Sequence, residues 1–187
     1  MIEEAQTAIE GEEYEAAIHL LRPLAEAGLA EAQYLLSSLY FTSADVDACE
    51  SHDWLRRAAA QGHATATFDI ACWQDDTVYP PPGKDFYPSM LLQAAALGSV
   101  DACAMLGCNY ALGEEGYPRD GTLARMWYLR AADAGSAFAQ YNYGAMLYEG
   151  EGGPTDPETA LEWIRRAAAG GESCAVHFLS QNQPEVD

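Results

Sequence analysis

Five glycines, at 28, 62, 98, 135 and 171, recur 34, 36, 37 and 36 residues apart, each in the same small-residue frame. An alanine stands three residues before each (Ala25, Ala59, Ala95, Ala132, Ala168) and four residues after each (Ala32, Ala66, Ala102, Ala139, Ala175). Eight residues before stand Leu20, Trp54, Met90, Trp127 and Trp163; eight after stand Leu36, Ile70, Leu106, Tyr143 and Leu179. Self-similarity at so regular a period constrains the architecture more than any other feature, because it belongs to stacked repeats.

Positions −12, −8, −4 and −3 from the glycine fall on one face of a helix, and +1 to +12 are similarly amphipathic. Each unit therefore predicts helix A, a turn at the glycine, helix B and a loop. The glycine supplies a helix C-cap with positive φ. The small residues let two antiparallel helices approach closely, and the large residue at −8 is expected to fill the space between one pair and the next. One pair cannot bury its own apolar face, whereas stacked pairs bury a continuous core. The expectation is an all-α chain, an α-solenoid of about five antiparallel helix pairs. It forms a single domain over 1–187, with repeats at approximately 12–47, 48–83, 84–119, 120–155 and 156–183, and a cap helix at 1–11. The acidic first helix and the polar tail from Ser180 to Asp187 read as caps that oppose open polymerisation.

The segment from Trp127 to Pro154, with Trp-Tyr-Leu-Arg-Ala-Ala-Asp-Ala-Gly followed by Tyr-Gly-Ala-Met-Leu-Tyr-Glu-Gly-Glu-Gly-Gly-Pro, resembles the Sel1-like repeat, a relative of the tetratricopeptide repeat. The likeness is good in the first and fifth units and degenerate in the second and third. The resemblance implies a right-handed superhelix used as an adaptor in protein complexes. Relatives of this kind include signalling adaptors and bacterial toxin-immunity proteins, and the family defines no reaction.

Charge narrows the partners. Nine basic residues stand against 29 acidic ones, for a formal net charge of −20. Such a surface repels nucleic acid and anionic membranes and attracts basic proteins in a salt-dependent way. No stretch approaches the ~20 apolar residues of a membrane-spanning helix. The acidic start, Met1-Ile2-Glu3-Glu4, does not read as a signal peptide, so a cytoplasmic location is expected. Five irregularly spaced cysteines without a CxxC suit reduced thiols rather than a zinc or redox site.

No catalytic motif emerges. The four histidines lack metal-ligand spacing, the weak His52–Cys49 pair aside, and GxSxG, Walker and HExxH patterns are missing from the sequence. Asp75-Asp76 and Glu114-Glu115 lack the alternating ligands of an EF-hand. The chain is read as a non-enzyme with no cofactor or metal. Candidate binding residues lie elsewhere. Arg22, Arg56 and Arg165 stand six before the glycine, and Arg57, Arg130 and Arg166 five before it, a row on successive A helices. The row suits either a grip on a carboxylate-bearing partner or pairing with acids of neighbouring repeats. The second loop, with Trp73, Asp75, Asp76, Tyr79 and the prolines 80 to 82, departs from the repeat and is a candidate contact, or else a plain connector. Asp69, four residues before Trp73, breaks an otherwise mostly apolar column, and an acid beside an aromatic suits a basic side chain.

The reading is a scaffold that binds a protein partner, a basic one by the charge argument, through the concave face and the inter-repeat loops. Its sharper alternative is an immunity protein that neutralises a basic toxin. An enzyme component and a self-assembling array are the readings from other classes. The chain is expected to be a monomer or a weak homodimer through an aromatic such as Tyr79, Phe86 or Tyr148.

Overall fold

The computed structural model describes residues 1–42, 48–72, 83 and 85–182. Among them eleven α-helices follow one another. They are α1 (Ile2–Glu10), α2 (Tyr14–Glu26), α3 (Ala30–Thr42), α4 (Ala48–Ala60), α5 (Ala64–Cys72), α6 (Phe86–Ala96), α7 (Val100–Leu112), α8 (Gly121–Asp133), α9 (Ala137–Glu149), α10 (Pro157–Ala169) and α11 (Ser173–Gln181). They fall into two compact units, Met1–Leu97 with α1 to α6 and Gly98–Asp187 with α7 to α11. Within each unit every helix packs on its neighbours in the chain, the stacking of an all-α solenoid.

The repeat glycines end the A helices as expected. Their φ values lie between 83° and 99°. At Gly135 the N–H donates to Ala132 O, and the N–H of Ser136 donates to Ala131 O, both at 3.0 Å. This is the closing pair of a Schellman turn, and the same two bonds recur at Gly28, Gly62 and Gly171. A Cβ on Gly135 would meet nothing within 4 Å, so the backbone angle, not lack of space, requires glycine there.

The next residue starts the B helix, but from outside it: each B helix begins at +2, and the +1 residue is its N-cap. Ser99 Oγ accepts from Ala102 N at 3.2 Å, Ser136 Oγ from Ala139 N at 3.3 Å, and a Glu172 carboxylate oxygen from Cys174 N at 3.2 Å. At this position in the second unit, His63 Nδ1 accepts from Ala66 N at 3.2 Å.

The core follows the alanine columns. All five alanines at +4 are completely buried, which lets the paired helices within a unit approach to backbone distance. The large buried residue on helix A differs from expectation. It stands at −7, where Leu21, Leu55, Leu91, Tyr128 and Ile164 are all buried. At −8, Trp127 and Trp163 are half-buried and only Trp54 is enclosed. The −12 position likewise leaves the core: Ala16 and Phe86 are exposed. Its place is taken by −11, where Ala17, Ala124 and Ala160 are fully buried. The buried stripe is thus rotated by one residue, and the −8 side chains other than Trp54 sit on its rim.

A further small-residue column, at +9, sets how closely each B helix meets the next A helix. A Cβ on Gly144 would stand 2.8 Å from Ile164 Cγ1 and 3.0 Å from Ala160 O. In the first unit the same crossing is made by Ser37, whose carbonyl accepts from Ser51 Oγ at 2.9 Å.

The loops after α7 and α9 share one design. Gly113 (φ 74°) and Gly150 (φ 78°) end the helices. Asp120 and Asp156 cap the following ones, with Asp120 Oδ1 accepting from Thr122 N and Leu123 N, and Asp156 Oδ1 from Thr159 N.

Candidate protein-binding surface

The arginine row resolves into two kinds of contact. At −5, each guanidinium lies over the tryptophan three residues earlier on its own helix. Arg57 Cζ stands 4.5 Å from the Trp54 ring centre, Arg130 5.6 Å from Trp127 and Arg166 4.7 Å from Trp163. Trp127 and Trp163 present their rings at the rim of the core, whereas Arg57 lies over the enclosed Trp54. At −6, Arg22 and Arg56 make ionic contacts. Arg22 donates to the Tyr40 hydroxyl and lies 3.5 Å from Glu50 of the neighbouring repeat, and Arg56 lies 3.9 Å from Asp53 on its own helix. Among the described residues no carboxylate lies within ion-pair distance of Arg57, Arg130, Arg165 or Arg166, and all four side chains are exposed. Arg22 is thus paired with an acid of a neighbouring repeat.

Asp69 lies in a cleft of the first unit. The cleft holds about 420 Å³ and is walled by Ser37, Ser38 and Phe41 of α3, Ser51, His52 and Leu55 of α4, and Asp69 and Cys72 of α5. Beside it sits Tyr34, whose phenol is pushed up from its ordinary range, first by burial and then by the negative charge of Asp69 and a hydrogen bond to it. The Tyr34 ring stacks on the His63 imidazole, with ring centres 4.5 Å apart. His63 in turn holds Glu31, its Nε2 3.0 Å from the carboxylate, while Nδ1 caps α5. Because Nδ1 accepts, the proton sits on Nε2 and donates to Glu31. Trp73, Asp75, Asp76 and Tyr79 lie outside the described residues.

Sequence reasoning missed Tyr34 and His63. The signal for His63 was available: it occupies the +1 column, where serine and glutamate also stand as caps. Nothing in the pattern marked Tyr34. Cys72, Cys103, Cys108 and Cys174 are free thiols. Burial pushes the Cys103 thiol up, against the opposing pull of Arg130, which makes it inert rather than nucleophilic. Among the described residues no three His, Cys, Asp or Glu side chains gather around a point that could hold a metal ion, and no helix is long and apolar enough to cross a membrane.

The Sel1 repeat model matches residues 30–63, 100–136 and 137–172, more than half of the chain. The chain belongs to the Sel1 repeat family. Sel1 repeats generally mediate protein–protein interaction and form a scaffold that is generally non-enzymatic. A chitin synthase regulator of Saccharomyces cerevisiae is 35% identical over 66% of this Sel1 chain and 18% of its own length. A crystal structure of a Sel1 repeat protein from Oxalobacter formigenes superposes with a TM-score of 0.81 and 29% identity, over 90% of this chain and 50% of that one. An immunity protein from Pseudomonas aeruginosa shares the fold, with a TM-score of 0.63 and 21% identity over 93% of this chain and 64% of that one. The Sel1 chain thus spans 18%, 50% and 64% of the lengths of these three proteins.

Proposed function

We propose that this Sel1 chain is a protein-binding module whose partner is a basic protein. The observation that carries the reading is the excess of 20 negative charges on a repeat scaffold of a protein-binding family. An acidic surface of this size accelerates encounter with a basic protein and disfavours acidic competitors. Within that surface the exposed guanidinium groups of Arg130 and Arg166, over their tryptophans and with no ion pair among the described residues, offer donors to the partner's carbonyl and carboxylate groups. The test is affinity capture at low and high salt, followed by calorimetry on the purified pair. The reading predicts one stoichiometric basic protein whose affinity falls as salt rises. An acidic partner, or an affinity indifferent to salt, overturns it.

A second reading is neutralisation of a basic toxin. The same net charge favours it, since a nuclease-like toxin would be steered onto this surface. The Pseudomonas immunity protein supports the fold and nothing more. Co-expression with a candidate toxin decides: protection of the cells supports the reading, and undiminished killing despite soluble expression of both proteins removes it.

A further inference from the structure

We propose that the cleft walled by α3, α4 and α5 receives a single basic side chain, arginine or lysine, from the protein partner. The inference deepens the protein-binding reading and rests on it, because it names the chemistry that one part of the surface recognises.

Four observations converge. The first is size: about 420 Å³ lies within the range of pockets that enclose small ligands, roughly 300–1,000 Å³, and suits one long side chain with its adjoining backbone. The second is charge. Asp69 is the only carboxylate among the described lining residues, and none of them is an arginine or lysine. An anion would meet Asp69 head-on, and a purely apolar group would strip water from it without compensation.

The third is the division of the walls. Phe41 and Leu55 give apolar surface for the methylenes of a long side chain, while Ser38 and Ser51 add hydroxyl oxygens that can accept from an ammonium or guanidinium. Asp69 is engaged by its neighbours, Tyr34 among them, but a carboxylate has about four acceptor positions and can serve a guest as well.

The fourth is position in the repeat. The +7 column is apolar at Leu35, Met105 and Phe178 and polar at Asn142, and Asp69 alone puts a carboxylate there, at a half-buried site. The excess negative charge of the whole chain brings basic partners to the surface.

The experiment uses the full chain and small probes, so that it does not depend on knowing the partner. Backbone and methyl NMR shifts are followed during titration with Nα-acetyl-arginine amide, Nα-acetyl-lysine amide and, as an apolar control, Nα-acetyl-norleucine amide. The proposal expects saturable shifts around Leu55 and Asp69 from the two cationic probes, with the neutral probe at least about tenfold weaker. Asp69→Asn, which keeps the shape and removes the charge, is expected to weaken the cationic probes by about tenfold. Should that variant fail to fold, Ser38→Lys serves instead: it leaves Asp69 in place, puts an ammonium into the cleft and is expected to abolish saturation. Shifts scattered over the acidic helices α1 and α2 with no saturation at the cleft overturn the proposal, as does equal binding of norleucine amide. A partner that binds Asp69→Asn as tightly as the parent chain overturns the cleft while leaving the protein-binding reading intact.

Discussion

The Cβ that Gly107 lacks would stand 2.6 Å from Cδ1 of Tyr128, so the crossing of α7 and α8 depends on the absence of a side chain. Tyr128 cannot easily swing aside. Its ring is buried, and its hydroxyl donates to Cys108 Sγ at 3.1 Å. Gly107→Ala gains about 1 kcal/mol in helix propensity but forces an overpacked contact that costs about 1–3 kcal/mol. Net destabilisation is expected, read as a lower urea midpoint with an unchanged slope. Combining Gly107→Ala with Tyr128→Leu should recover part of the loss. Gly107→Ala more stable than the parent would show that the two helices can slide apart freely.

A second consequence concerns alkaline pH. Tyr117 is buried in the loop after α7 with its ring edge-on to Tyr110 at 5.1 Å. Burial, with a smaller contribution from Tyr110, pushes its phenol up to about 12 from 10.0. In the unfolded chain the phenol ionises near 10, so above that pH the unfolded state binds fewer protons and stability falls. The contribution is fully present below pH 10 and is lost between pH 10 and 12, up to roughly 3 kcal/mol. Burial raises Tyr128 as well, so the two add. Unfolding midpoints measured from pH 9 to 12 should fall, and Tyr117→Phe should flatten part of the slope. An identical slope in Tyr117→Phe would refute the assignment.

Capping gives a third test. Asp120 accepts from Thr122 N at 2.9 Å and Leu123 N at 3.0 Å, satisfying two donors that α8 cannot satisfy itself. Asp120→Ala is expected to cost about 1 kcal/mol, and Asp120→Asn or Asp120→Ser much less. Chemical denaturation of the three variants distinguishes capping from charge: if serine proved as costly as alanine, the effect would belong to the carboxylate's charge and not to its hydrogen bonds.

How much of this was legible follows from period and residue size. The five glycines announced the A–B turns because only a positive φ explains glycine at each of them. The alanine columns at −3 and +4 announced close helix pairs for the same reason of size. The buried stripe was misplaced by one residue, with −8 taken for −7, because the tryptophans at 54, 127 and 163 drew the eye. Tryptophan's bulk suggested the core, whereas in two of the three repeats its ring lies half-exposed under an arginine. The +9 column passed unread because serine, alanine and glycine share smallness but no chemistry. Asp69 was legible as a break in an apolar column. The cleft around it was not, because it is assembled from three helices, and no spacing along the chain records which serines from α3 and α4 face an aspartate on α5.

The arginine–tryptophan steps give the last prediction. Arg166 lies 4.7 Å from the Trp163 ring centre and Trp163 packs edge-on against Tyr143 at 5.6 Å, so the cation closes a stack that begins in the preceding B helix. A double-mutant cycle of Arg166→Met and Trp163→Leu should give a coupling of about 0.5–1 kcal/mol, the range for a solvent-exposed cation over an aromatic face. Arg166→Lys keeps the charge but not the flat guanidinium, and should lose a good part of that coupling. The coupling should also resist salt, since an exposed ion pair weakens with salt whereas a guanidinium over a ring is held by contact as well as charge. A coupling that vanishes in high salt would reassign Arg166 to long-range attraction by the surrounding acids, and Trp127 and Trp163 would then need another explanation for their place at the rim of the core.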